Sequence, residues 1–170
     1  MKNTKKQKIL ERIEKDILIG QIELAGIIAE IAHEDQFREK GLEKGTKYIL
    51  HPKRIASKFS DSILVSASLL HDVIEDTEIT ENDLREFGID DIVIETVKAL
   101  SKKDGENYLD FINRIKHNIN AIQIKMEDIK DNLNGLDEGS LKDKYRLALY
   151  ILQEVVRNTK NRSKYINEMD

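Results

Sequence analysis

Apolar residues recur every three or four positions along almost the whole chain. Ile9, Ile13 and Ile17 form one such set, and Leu24, Ile27, Ile28 and Ile31 form another. Ile63, Ala67, Leu70 and Ile74 continue the series. Ile92, Ile94, Val97 and Leu100 follow, then Leu109, Phe111, Ile112 and Ile115. The last sets are Ile122, Met126, Ile129 and Leu133, and Tyr145, Leu149, Leu152 and Val156. This is the period of an amphipathic helix, and no stretch alternates like a strand. The pattern predicts helices over 5–18, 22–36, 52–59, 61–75, 108–117 and 121–133.

Punctuation between the sets agrees. Ser60 or Asp61 can cap the helix that starts there, and Thr80 with Asp83 reads as a capping box. Gly88 suits the stop of that short helix, and Asp90 or Asp91 can cap the next. Gly135 ends the 121–133 helix, and Ser140-Leu141-Lys142-Asp143 reads as the capping box of a long last helix. The expected architecture is a compact, irregular all-α domain of about seven to nine helices. It spans 20–160, with an N-terminal helical extension over 1–19 and a polar, fraying tail over 161–170.

Composition narrows the function classes. The 170 residues carry a net charge of −4, with 35% charged and 39% hydrophobic. That suits one soluble domain with a sizeable core and argues against general disorder or an electrostatic nucleic-acid binder. The absence of cysteine removes disulfides, thiolate metal sites and a cysteine nucleophile. No apolar run reaches the roughly 20 residues of a membrane span. A cytoplasmic protein is the expectation.

The chemistry concentrates in Ala67 through Thr77. His71, Asp72, Glu75 and Asp76 lie within two helical turns, and no Lys or Arg stands between Asp61 and Thr77. Such a cluster repels itself unless a cation compensates it. Imidazole with carboxylate oxygens is a donor set that Mn, Fe, Co, Zn or Ni accepts. A solvated acidic helix end is the plain alternative. His51 precedes Pro52, which fixes the local backbone at a helix start and makes a rigid ligand position. Asp128 sits at the edge of its apolar stripe, where a simple salt bridge to Lys125 is the competing reading. His33 reads as a packed, hydrogen-bonded core histidine.

His51, then His71-Asp72, then Asp128 gives the order H…HD…D. With Tyr48-Ile49 before His51-Pro52, and Lys125, Asp128, Asn132 and Leu133 downstream, the chain resembles the HD superfamily of metal-dependent phosphohydrolases. It is most similar to the hydrolase domain of the Rel/SpoT alarmone enzymes and to the stand-alone small alarmone hydrolases, over roughly residues 20–150. The resemblance implies an all-α HD fold and hydrolysis of the 3′-pyrophosphate of (p)ppGpp with a divalent metal, usually Mn²⁺. It assigns His51, His71, Asp72 and Asp128 to the metal, and Glu75 and Asp76 to catalysis. It places Arg38 at the nucleotide base, Asn132 near the ribose and Tyr145 against the nucleotide. Tyr145 equally fits the core stripe of its helix, Tyr48 reads as structural, and Lys142 and Lys144 are further phosphate candidates.

The chain also departs from the pattern. Glu39 follows Arg38 where the family commonly has Lys, Lys47 replaces a proline, and Ile129 replaces the arginine that usually follows the last ligand. The length leaves no room for synthetase or regulatory domains, so degradation without synthesis is expected. An HD phosphohydrolase for another nucleotide or phosphorylated metabolite is the alternative, and a non-catalytic nucleotide- or metal-binding module the third reading.

Overall fold

The computed structural model describes residues 4–15, 18–39 and 43–167, with side chains to residue 159. Its helical segments are α1 (Lys5–Ile13), α2 (Gln21–Ala32), α3 (Leu50–Ala56), α4 (Ser62–Leu70) and α5 (Val73–Asp76). They continue as α6 (Glu81–Glu86), α7 (Asp91–Leu100), α8 (Tyr108–Ile115), α9 (Ile119–Leu133) and α10 (Ser140–Asn167). The all-α expectation holds: among the described residues the only extended pairing is an isolated bridge between Phe37 and Lys47. The tenth segment beyond the expected range is α5, a single turn.

Helix α4 is the centre of the fold and packs against α2, α3, α7 and α9. Its sequence explains this. After the Asp61 carboxylate caps Ile63 and Leu64 N–H, each at 3.0 Å, the helix contains no charged residue. Leu64 and every residue from Ser66 to Leu70 are buried, the two serines included. Around α4 lie Ile28, Ile55, Ile94 and Ile129, all essentially without exposure. Helix α1 packs on α2 through fully buried Ile9.

Several boundaries differ from expectation for local reasons. The 61–75 helix is not continuous: α4 stops at Leu70, His71 and Asp72 form a turn, and α5 follows. His71 Nδ1 lies 2.8 Å from the Ser68 carbonyl, and Asp72 stands at φ −102, ψ −3, near the edge of helical geometry. Helix α3 starts at Leu50, before Pro52, because the missing proline N–H falls in the first turn, where no intrahelical partner exists. Helix α2 ends at Ala32 rather than residue 36, as His33 leaves helical geometry at φ −101, ψ 14. Helix α1 ends at Ile13, and the expected stripe member Ile17 lies outside the described residues. Ser140 is the first residue of α10 rather than its cap, since the Asp143 N–H bonds the Gly139 carbonyl. The Thr80–Asp83 capping box forms as expected, and Gly88 at φ 91 supplies the left-handed turn that ends α6. No helix among the described residues is long and apolar enough to cross a membrane.

Candidate metal centre and nucleotide cleft

Three helices deliver the predicted ligands to one point. Helix α3 carries His51 in its first turn, the end of α4 presents His71 and Asp72, and α9 carries Asp128. His51 Nε2 lies 3.1 Å from Asp128 Oδ1 and 3.9 Å from Asp72 Oδ2. His71 Nε2 lies 2.9 Å from Asp72 Oδ2 and 3.9 Å from Asp128 Oδ1. Ligand atoms of His51, His71 and Asp72 all fall within 4.8 Å of one another. Both rings and Asp128 are buried.

The donor set fits a divalent cation. His71 Nδ1 faces the Ser68 carbonyl, so the ring turns Nε2 inward, where it is buried without a well-formed hydrogen bond. His51 is turned the same way by Asp131, whose Oδ2 lies 2.6 Å from Nδ1. Two imidazole nitrogens and two carboxylates converging in a buried space are a mixed nitrogen and oxygen site. The salt bridge anticipated as the plain reading of Asp128 is present as well: Lys125 Nζ donates to Oδ2 at 2.7 Å. It occupies the oxygen that faces away from the histidines, while Oδ1 faces His51.

The electrostatics follow from this crowding. Burial pushes the His51 imidazole down, but hydrogen bonds to Asp128 and Asp131 outweigh it and hold it at about 9. Burial would raise the Asp72 and Asp128 carboxyls. The charge of His71 beside Asp72, and that of Lys125 beside Asp128, win and hold both below the usual carboxylate range. Asp76 goes the other way: burial, then the charges of Asp72 and Glu75, push it up to about 6.

The two candidate catalytic carboxylates part company in the structure. Asp76 stays with the cluster through Tyr48, whose hydroxyl lies 2.5 Å from Asp72 Oδ2 and 3.3 Å from Asp76 Oδ2. Glu75 reaches the turn after α7, where its Oε2 accepts the Lys102 backbone N–H at 2.8 Å. Adjacent helical residues point about 100° apart, and the turn after α7 offers Glu75 a backbone N–H on its side of α5.

A cleft of about 1250 Å³ opens beside the cluster. Arg38, Tyr48, Asp76, Asn132 and Tyr145 lie on its wall. Arg38 Nη2 donates to Asn132 Oδ1 at 2.9 Å, and Asn132 Nδ2 donates to Asp128 Oδ1 at 2.6 Å. All three expected substrate contacts therefore face one cavity, and Asn132 links it to the metal cluster. Tyr145 both lines the cleft and packs against the core, which unites its two readings. Lys142 and Lys144 are elsewhere: Lys142 pairs with Glu138 at 2.8 Å, and Lys144 lies over the Tyr108 ring at 4.5 Å. His33 is the core histidine expected, bonded through Nδ1 to Gln36, with its ring centroid 4.9 Å from that of Tyr48 and tilted 34° to it.

Three residues of the site escape a reading by sequence. Tyr48, taken as structural, touches two site carboxylates 24 and 28 residues away. Arg54 and Asp131 lie behind His51, with Arg54 Nε and Nη2 at 2.8 and 3.0 Å from the two Asp131 oxygens. For Arg54 and Asp131 the available signal is spacing: each is three residues after a candidate ligand on its own helix, one turn along the same face.

No protein-family model matches the chain. It is 39% identical over 137 residues to the guanosine-3′,5′-bis(diphosphate) 3′-pyrophosphohydrolase of Haemophilus influenzae, covering 71% of this chain and 19% of that protein. It is 35% identical over 145 residues to the bifunctional (p)ppGpp synthase/hydrolase SpoT of Escherichia coli, covering 75% of this chain and 20% of that protein. The chain thus spans about a fifth of the length of these curated relatives. Among solved structures, it matches a metazoan ortholog of SpoT that hydrolyzes ppGpp, with a TM-score of 0.58. That match covers 85% of this chain and 98% of the other at 19% identity, and it establishes a shared fold.

Proposed function

We propose that this homologue of the SpoT-type pyrophosphohydrolases removes the 3′-pyrophosphate of (p)ppGpp, giving GDP or GTP and pyrophosphate. One observation carries the reading. The candidate ligands His51, His71, Asp72 and Asp128 lie together behind a cleft whose wall holds Asp76, Arg38, Asn132 and Tyr145, and Asn132 and Tyr48 of that wall hydrogen-bond Asp128 and Asp72. A phosphate ester with a planar base needs both halves of that arrangement.

His51, His71, Asp72 and Asp128 would hold the ion, and we assign it as Mn²⁺. When bound, it supplies Lewis acidity toward water and toward a phosphoryl oxygen. The chain's own residues do the rest. Arg38 presents its guanidinium to the base, Tyr145 lines the nucleotide, and Asn132 meets the ribose. We assign the attacking water to Glu75, which must turn its side chain from the Lys102 N–H toward the centre, or use its second oxygen, to orient it. Asp76, whose carboxyl burial pushes up to about 6 in the ion-free protein, is the group assigned to pass a proton to the leaving 3′-oxygen. The water oxygen bonds to the proximal phosphorus of the 3′-pyrophosphate, the bond from that phosphorus to O3′ breaks, and the proton released by the water passes to solvent, from which Asp76 is reprotonated. The substrate is a soluble nucleotide, so we assign the activity to the cytoplasm.

The test is a nucleotide panel with the purified protein and Mn²⁺. Turnover of ppGpp and pppGpp, with GDP and GTP left intact, is the expected result. Turnover confined to nucleotides without a 3′-pyrophosphate assigns a different substrate and overturns this reading.

A further inference from the structure

The imidazole of His51 is held from behind by a carboxylate outside the ligand set. Asp131 Oδ2 lies 2.6 Å from His51 Nδ1. Both Asp131 oxygens then take the fork of Arg54, Nε to Oδ1 at 2.8 Å and Nη2 to Oδ2 at 3.0 Å. Arg54 is fixed on its other side by Glu43, whose Oε2 lies 2.5 Å from Nη2. Arg54 stands on α3 one turn after His51, and Asp131 on α9 one turn after Asp128. Each therefore sits beside one candidate ligand and reaches across to the helix that carries the other.

We propose that Arg54 and Asp131 form a positioning pair for His51, fixing its ring so that Nε2 alone faces the metal centre. The ring is buried, and Asp131 at Nδ1 adds to Asp128 at Nε2 a second polar contact that selects between its two flipped orientations. A carboxylate behind a ligating imidazole sets both tautomer and direction, and its loss typically weakens metal binding 10- to 100-fold. Asp131 must itself be held, and the planar two-point hold of arginine does this in a way lysine cannot reproduce. Arg54 and Asp131 thus take over support of the last-ligand region, where Ile129 offers only a buried apolar side chain.

The inference rests on His51 being a metal ligand, and the experiment separates the two ideas. Mn²⁺ affinity is measured by titration calorimetry on the full chain for wild type, Asp131→Ala, Asp131→Asn, Arg54→Met, Arg54→Lys and the Arg54→Met/Asp131→Ala double variant. Asp131→Ala and Arg54→Met should each weaken binding by about 10- to 100-fold. Asp131→Asn should recover part of the loss, because its amide oxygen still accepts from Nδ1, and Arg54→Lys should fall between wild type and Arg54→Met. The double variant should be no weaker than the worse single one, since either change already breaks the chain of contacts. Cooperative melting of the metal-free variants identifies any that fail to fold, and the conservative pair then decides. Wild-type affinity in folded Asp131→Ala and Arg54→Met overturns the proposal. A wild-type protein that does not bind Mn²⁺ overturns the ligand assignment beneath it, and the proposal with it.

Discussion

The phenolic hydroxyl of Tyr48 donates to Asp72 Oδ2 across 2.5 Å, joining the loop before α3 to the turn between α4 and α5. Burial, and next the negative charge of Asp72, raise the Tyr48 phenol far above its ordinary value, so it acts as a donor throughout the working pH range. Its bond orients one candidate ligand and, at 3.3 Å, its oxygen also meets Asp76. Tyr48→Phe should therefore weaken Mn²⁺ binding by roughly tenfold or more, the usual consequence of losing a partner of a ligating group. It should also move the Asp76 midpoint above about 6, because the Tyr48 bond lowers that pKa. Carboxylate NMR titration of the metal-free protein reads the second effect.

Metal binding should release protons. In the metal-free protein, against the pull of burial, hydrogen bonds to Asp128 and Asp131 push the His51 imidazole up to about 9, so it carries a proton at neutral pH that it must lose to become a ligand. Apparent Mn²⁺ affinity should rise with pH up to about 9 and flatten beyond it. The sign for stability is opposite. A raised histidine stabilises the metal-free fold fully below its unfolded value, and that contribution disappears as pH climbs through about 9. Calorimetry in buffers of different ionisation enthalpy counts the protons, and metal-free melting curves against pH check the second trend.

Glu75→Ala and Asp76→Ala should separate chemistry from metal binding. Neither carboxylate is among the atoms that converge on the centre. Each variant should retain Mn²⁺ and lose about 10²- to 10⁴-fold in kcat, the range for a positioned acid or base. Single-turnover rates alongside metal titrations make the comparison.

Arg38→Ala should act on substrate recognition. The guanidinium lies on the cleft wall, bonds Asn132 and lies 5.8 Å over the Tyr48 ring, without touching the metal cluster itself. KM for ppGpp should rise several-fold with the metal affinity unchanged. An altered metal affinity would mean that Asn132 transmits its orientation to Asp128.

The fold itself depends on α4. Leu70 is fully buried beside the turn that presents His71 and Asp72. Leu70→Ala should cost about 2–5 kcal/mol, the range for truncating a core leucine. Chemical denaturation of the metal-free protein measures it.

Much of this was readable from local pattern. Asp61 and Thr80 cap where their side chains suggest, because capping needs only neighbours in sequence. The four candidate ligands came from the resemblance to the H…HD…D pattern, since residue chemistry alone left Asp128 open between a ligand and a salt bridge to Lys125. The break after Leu70 was not readable, since the apolar stripe runs on through Ile74 with no Gly or Pro to mark it. Tyr48 was hidden for a different reason: its partners are 24 and 28 residues away, and only packing of α3 against α4 brings them together. The divergence of Glu75 likewise depends on the turn after α7, a contact 27 residues distant.

The products of ppGpp incubated with the purified chain and Mn²⁺ decide whether this protein removes a 3′-pyrophosphate. GDP and pyrophosphate in equal amounts, and neither with Asp72→Ala, is the predicted result. Intact ppGpp in the presence of a protein that demonstrably holds Mn²⁺ would contradict the account.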